Sequence, residues 1–115
     1  TIETTATTAG AINNNSTGRI VMTGGKITVA EGGRQAIYND KGYVEISGTA
    51  YLSSESTGTT NIRATVQNQS SGTLIITGGT IISKNFYGVQ NAGTMTIGTK
   101  DGSVDKTSPV IRNFL

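Results

Sequence analysis

The chain is poor in the side chains that carry out most enzymatic chemistry. It has no histidine, the commonest general base and metal ligand, and no cysteine to act as a thiol nucleophile. Its nine basic and seven acidic residues are scattered singly, whereas glycosidases hold two carboxylates at a set separation. Glu45, for example, is expected to point outward from a short strand. Its neighbours in the equivalent strands before and after it are expected to be aliphatic. We therefore predict no catalytic residues and no enzymatic activity.

One stretch near the end of the sequence weakly resembles a calcium-binding loop. Asp101, Ser103 and Asp105 alternate, as oxygen ligands do in such loops. No bidentate glutamate follows them, and Lys100 and Lys106 flank the stretch. The stretch is therefore predicted to be a plain turn, and neither a metal nor a cofactor is expected.

Four aromatic residues are the candidates for contact with a ligand. They are Tyr38, Tyr43, Phe86 and Tyr87. Such rings can stack on a sugar while neighbouring asparagine and glutamine amides form hydrogen bonds, but aromatic residues at bends also cover the edges of a core. The sequence leaves both roles open.

The most regular feature of the chain is a tripeptide of an aliphatic residue, any residue and asparagine. Its asparagines are Asn14, Asn39, Asn68, Asn91 and Asn113. They lie 22 to 29 residues apart, a spacing typical of solenoid repeats. A side-chain amide both donates and accepts hydrogen bonds, so equivalent amides in stacked coils can bond to one another. The five asparagines are therefore predicted to form a structural ladder.

A glycine follows each of the first four asparagines, and an alternating apolar pattern follows each glycine. These glycines are Gly18, Gly42, Gly72 and Gly93. Apolar residues lie two and four positions beyond each of them, and a spacing of two places both side chains on one face of a strand. Another glycine turn follows, and then a third strand. One coil is thus strand, turn, strand, turn, strand.

Strands this short cannot bury their apolar faces alone, but coils stacked about 4.8 Å apart would pair every strand with its equivalents. The sequence therefore predicts an all-β protein, a single-stranded right-handed parallel β-helix of about four to five coils of 22–29 residues. Residues 1–10 are expected to form a partial coil or a linker, and residues 11–115 the repeat domain.

The second coil is longer than the others because of the polar stretch 53–60, which is predicted to be a loop. Just before it, the alternation leaves open whether Ala50 and Leu52 or Tyr51 face the core.

Charge and hydropathy exclude two classes of partner. The net charge of +2 has no basic cluster, although a nucleic-acid surface normally concentrates its lysines and arginines. No apolar run approaches the roughly 20 residues of a membrane span. We therefore expect no nucleic-acid binding and no membrane insertion, and the absence of cysteine is compatible with an extracellular location.

The repeat elements resemble those of bacterial surface proteins with right-handed β-helices, specifically the polymorphic outer-membrane-protein and adhesin-like repeats. The resemblance rests on the aliphatic-x-Asn tripeptide together with Gly24-Gly25-Lys26-Ile27 and Gly78-Gly79-Thr80-Ile81. Gly48-Thr49 and Gly98-Thr99 depart from the double glycine.

The resemblance implies a structural or adhesive segment that is extracellular or on a bacterial cell surface. Its expected partner is a host or bacterial surface glycan or protein, or another copy in end-to-end self-association. The alternative is a carbohydrate-binding module that uses the four aromatic residues.

Overall fold

A computed structural model describes residues 1–4, 10–57, 64–98 and 109–113, with residue 113 described through its backbone only. These residues form thirteen short strands and no helix, so none of them belongs to a helix that could span a membrane. The strands are β1 (Ile2–Thr4), β2 (Ile12–Asn14), β3 (Arg19–Met22), β4 (Lys26–Val29), β5 (Ile37–Asn39), β6 (Tyr43–Ile46), β7 (Tyr51–Ser54), β8 (Val66–Asn68), β9 (Thr73–Ile76), β10 (Thr80–Ser83), β11 (Val89–Asn91), β12 (Thr94–Ile97) and β13 (Val110–Asn113).

The strands form three parallel sheets, and each turn of the chain contributes one strand to each sheet. The first sheet has the order β2, β5, β8, β11, and the second has the order β3, β6, β9, β12. The third sheet contains β1, β4, β7, β10 and β13 in that order. Each strand therefore pairs with strands from the neighbouring turns, which confirms the predicted parallel β-solenoid. Three full turns separate β2 from β11, fewer than the four to five coils predicted.

The core lies between the three sheets and is built from stacked aliphatic rows. Alternate residues of each strand point inward, so the register places like residues above one another. The fully buried apolar residues of the interior are Ile27, Val29, Ala36, Ile37, Val44, Ile46, Ala50, Leu52, Ala64, Val66, Leu74, Ile76 and Ile81.

The turn between the second and third sheets depends on glycine. Gly25 and Gly79 have φ angles of 81° and 84°, in the left-handed region that favours glycine. The turn of the second coil is one residue longer, and there Gly48 takes the positive φ, 61°. The extra residue places Ala50 and Leu52 in the core and Tyr51 on the outer face. This settles the alternative that the sequence left open.

The polar stretch 53–60 is only partly the loop that the sequence predicted. Its first two residues end β7, and Ser54 and Ser56 are 1% and 2% exposed. The Ser56 hydroxyl donates to the Gly33 carbonyl at 2.6 Å, and the Ser56 amide donates to the Ser54 hydroxyl at 3.2 Å. Serine fits this buried corner because its hydroxyl is satisfied by backbone groups. Residues 58–60 lie outside the described part of the chain.

Strand β1 lies at one edge of the third sheet, beside β4. Ile2 pairs with Ile27 and Thr4 with Val29, which places β1 where the third strand of a preceding coil would lie. Ile2 is nevertheless 43% exposed. Strand β1 thus extends the third sheet with an incompletely buried apolar residue.

Candidate functional site

The asparagine row is the most distinctive polar feature of the interior. The register stacks Asn14, Asn39, Asn68 and Asn91 in the first sheet, and Asn39 and Asn68 are 0% and 1% exposed. The Asn39 Nδ2 donates to Asn68 Oδ1 at 2.7 Å, and the Asn68 Nδ2 donates to Asn91 Oδ1 at 2.7 Å. The row is therefore a directed hydrogen-bond chain that runs from β5 toward β11.

Each asparagine of the row also closes the turn that follows it. The Nδ2 of Asn39 donates to the Gly42 carbonyl at 2.9 Å, and that of Asn68 donates to the Gly72 carbonyl at 3.1 Å. Asn14 and Asn91 make the same bond within their own turns, to Gly18 and Gly93. The turn from the first to the second sheet is thus held by a side-chain amide, which is a use of asparagine that short polar turns favour.

The glycines of these turns are required for space. The backbone at Gly42 and Gly72 is not in the left-handed region. A Cβ at Gly42 would lie 2.1 Å from the Nδ2 of Asn14, and a Cβ at Gly72 would lie 2.3 Å from the Oδ1 of Asn68. A side chain there would collide with the asparagine of its own turn or of the turn below. The sequence pattern showed these glycines at strand starts but not their contact with the row.

The row ends differently at its two extremes. At the β2 end, Asn14 donates to its own glycine carbonyl, and the Oδ1 of Asn39 is buried without a hydrogen-bond partner. At the β11 end, Asn91 is exposed. Asn14 therefore lies in the row by register but not in its hydrogen-bond chain.

The prediction that Asn113 extends the row is wrong. Strand β13 pairs with β10 in the third sheet, and Asn113 lies beside Ser83. The strands of the third sheet also follow an aliphatic-x-polar pattern, as in Leu52-Ser53-Ser54 and Ile81-Ile82-Ser83. The Ile-Arg-Asn tripeptide is therefore compatible with either sheet.

The four aromatic candidates lie on three separate surfaces. Tyr38 is half-buried on the outer face of the first sheet, and Tyr43 is half-buried on that of the second. Phe86 and Tyr87 lie in the bend before β11, where Phe86 is half-buried and Tyr87 is 52% exposed. The structure does not bring the four rings together into one aromatic platform.

Tyr43 belongs to a cluster that the sequence did not predict. The Arg19 guanidinium lies over its ring, 4.7 Å from the centroid, and also pairs with the Glu45 carboxylate at 3.3 Å. The Tyr43 hydroxyl donates to the same carboxylate at 3.2 Å. Glu45 does point outward between Val21 and Ile75, as predicted, but it is 6% exposed and is not an isolated surface charge.

Tyr38 has polar neighbours along its outward row. Asn13 lies on one side of it and Gln67 on the other, and Gln90 follows on β11. The Gln67 Oε1 accepts a hydrogen bond from the buried Gln35 amide, which holds the side chain of Gln67 in place. This row offers one aromatic ring flanked by amides that are spaced about 4.8 Å apart.

Metal-binding groups do not gather in the part of the chain that the structure describes. No three histidine, cysteine, aspartate or glutamate side chains there lie close enough to hold an ion. An open cleft of about 350 Å³ is lined by Glu3, Thr4, Thr28, Ala30 and Glu55, and Glu55 forms an ion pair with Lys84. The alternating residues Asp101, Ser103 and Asp105 lie outside the described part.

No protein-family model, curated protein or solved structure matches the chain. The parallel β-solenoid and its asparagine row are therefore the basis for any functional inference.

Proposed function

We propose that the chain is a structural and adhesive β-solenoid segment of a bacterial cell-surface or secreted protein. It would mediate surface attachment or self-assembly and have no enzymatic activity. The observation that carries this proposal is the asparagine row, because it holds successive turns in register from the inside. A scaffold of this kind presents its outward rows at fixed spacing to a partner.

The inward and outward residues differ in burial and in how much they vary between turns, and this difference supports a scaffold function. Inward rows are mostly aliphatic, with asparagine in the first sheet and serine in the third, and are almost fully buried in the middle of the molecule. Outward positions vary widely between turns, as in Arg19, Tyr43, Thr73 and Thr94 along one row of the second sheet. Stability thus depends on the inward rows, while recognition can depend on the outward ones.

The resemblance to adhesin-like repeats supports the cellular context. It favours an extracellular or cell-surface location and a host or bacterial surface glycan or protein as partner. End-to-end association of copies is the second mode of assembly in this proposal.

The proposal is tested by measuring binding of the labelled 115-residue chain to intact host and bacterial cells. We expect saturable binding that unlabelled chain competes away and that heat-unfolded chain lacks. Static light scattering over a concentration series measures self-association in parallel. A chain that binds neither surface and remains monomeric throughout would contradict the proposal.

Carbohydrate binding is the second candidate, and the outward row of Tyr38, Gln67 and Gln90 favours it. A half-buried ring with amides beside it can stack on a sugar and bond its hydroxyls. Glycan-array binding that is lost in Tyr38→Ala would support this function. Tyr43→Ala is the matched control, because one face of that ring already lies under the Arg19 guanidinium.

A further inference from the structure

The two ends of the solenoid are staggered. The first and second sheets have four strands each among the described residues, and the third has five. At the lower end, formed by β1, β2 and β3, strand β1 precedes β2 in the path around the core. At the upper end, β11, β12 and β13 form one complete turn, with one strand in each sheet. The extra strand of the third sheet is therefore β1.

The inward rows of the upper end match those of the lower end. If a second copy were stacked with its β2 on β11, its Ile12 would follow Val89 in the first sheet. Its Ile20 would follow Met95 and its Met22 would follow Ile97 in the second sheet. Ile97 is 48% exposed, so this stacking would cover apolar surface that is now in contact with solvent.

The asparagine row has a direction that such stacking would continue. Asn39 donates to Asn68 and Asn68 donates to Asn91. The next acceptor in the series would be the Oδ1 of the second copy's Asn14. Only a head-to-tail arrangement aligns donor with acceptor and keeps all strands parallel.

Strand β1 blocks this arrangement as the chain stands. With the asparagine rows aligned, the second copy's β1 would need the same position in the third sheet as β13 of the first copy. Strand β1 is also the shorter of the two, since it pairs through three residues whereas β13 pairs through four. An open pocket of about 220 Å³ beside it is lined in part by Ile2, Ile12 and Ile27.

We propose that β1 is a displaceable strand, and that β13 of a second copy takes its place beside β4 during head-to-tail assembly. Ile111 of the incoming strand would then lie beside Ile27, where Ile2 lies now. This inference rests on the proposed self-assembly function and specifies its mechanism. Because the interface is heterologous and does not close, it builds an open filament.

Disulfide trapping tests the predicted register, and the absence of native cysteine makes the result specific. Thr96 and Val21 are exposed outward residues of one row and would become neighbours across the junction. A mixture of Thr96→Cys and Val21→Cys chains is expected to form a disulfide-linked dimer under mild oxidation. Thr94→Cys mixed with Val21→Cys is the control, because a two-residue offset exceeds the reach of a disulfide. Equal cross-linking by the two mixtures, or dimers from Thr96→Cys alone, would overturn the head-to-tail register.

A second variant tests the displacement of β1. Ile2→Asp places a charge on the inward side of β1 and should release the strand. It is expected to lower the concentration of half-maximal self-association by about tenfold, since β1 loses much of its apolar contact. Glu3→Gln changes the adjacent outward residue and should behave like the parent. Circular dichroism checks that both variants are folded.

The outcomes separate this inference from the proposed function. If Ile2→Asp associates no more strongly than the parent, β1 does not control assembly and the proposal is wrong. Binding of the monomeric chain to cells is measured independently. Surface attachment can therefore hold where strand displacement fails, and loss of cell binding leaves the cross-linking result unaffected.

Discussion

The asparagine–glycine turn occurs in the middle of the solenoid and at its lower end with the same sequence pattern but different surroundings. In the middle, Asn68 bonds to amides of the same row on both sides, and a Cβ at Gly42 would collide with Asn14. At the lower end, the Asn14 side chain bonds to the Gly18 carbonyl of its own turn, and a Cβ at Gly18 would meet nothing closer than 3.4 Å. The same motif is therefore a tightly packed junction inside and an open turn at the end.

This difference shows where the energy of the motif comes from. The bond from asparagine to the glycine carbonyl is present at both places, so it is local to the turn. The amide-to-amide bond and the close packing against glycine require a neighbouring turn below or above. We infer that most of the stability that the motif contributes comes from stacking between turns, as expected for solenoids.

The largest difference in stability between an interior and an end position is expected for alanine substitutions in the inward apolar row of the second sheet. Leu74 is fully buried, whereas Met95, in the same row on β12, is only partly buried. Leu74→Ala should lower the free energy of unfolding by about 2–5 kcal/mol, because it leaves a cavity in a packed interior. Met95→Ala should cost clearly less, since solvent already reaches that position. Denaturant unfolding of both variants measures the difference, and equal costs would contradict the contrast between inside and end.

The next largest difference in stability is expected between alanine substitutions at an interior glycine and at the end glycine of the asparagine–glycine turns. Gly42→Ala forces a Cβ to within 2.1 Å of the Asn14 amide, and such overpacking typically costs about 1–3 kcal/mol. Gly18→Ala places a Cβ in ordinary contact and should change stability by less than about 0.5 kcal/mol. Thermal melts of the two alanine variants give a matched comparison. If Gly18→Ala is as destabilising as Gly42→Ala, steric crowding by the Asn14 amide and the Gly18 carbonyl of the turn below is not the reason for glycine at position 42.

Replacing an asparagine of the row should likewise cost more stability in the interior than at the end. Asn68→Ala removes bonds to two neighbouring amides and leaves buried groups unpaired, at a cost of about 1–3 kcal/mol. Asn14→Ala removes one bond within a turn and should cost less. Asn113 lies in the third sheet and therefore gives no test of the row. Thermal melts of Asn68→Ala and of Asn14→Ala that match the parent would show that the row is not structural.

Much of the fold could be predicted because its determinants are local and periodic. Apolar residues two apart after each glycine specify strands with one buried face, and the recurring tripeptide sets the repeat. Asn113 shows the limit of this reasoning. Its tripeptide fits the pattern of the first sheet and that of the third, and the choice of sheet depends on the path of the chain between strands.

The candidate site was less predictable because it depends on contacts between turns. Arg19 and Glu45 are 26 residues apart in sequence and meet only because β3 and β6 are adjacent. Burial of Ser54 and Ser56 likewise follows from partners in another turn, such as the Gly33 carbonyl. Single-sequence patterns indicate which way a side chain faces along a strand but not what lies beside it in the next strand.

The smallest effect on stability is expected from removing an ion pair at the lower end of the solenoid. The Arg19–Glu45 pair joins the end strand β3 to β6, and the Arg19 side chain is 64% exposed. The Glu45 side chain is only 8% exposed, but its carboxylate keeps the hydrogen bond from the Tyr43 hydroxyl when Arg19 is replaced. The loss should therefore stay close to that of an exposed ion pair, about 0.2–1 kcal/mol. Arg19→Met should therefore leave the global melting temperature nearly unchanged.

The effect should be visible locally. Amide hydrogen exchange in β3 is expected to speed up by at most about fivefold in Arg19→Met, because strands at an end open without global unfolding. Exchange in β9, on the far side of β6, should stay as in the parent. Lys84→Met is the control, since it removes an exposed pair with Glu55 elsewhere. Faster exchange in β9 as well as β3 would mean that the ion pair stabilises the whole solenoid, and the distinction between a cooperative interior and a separately opening end would then be lost.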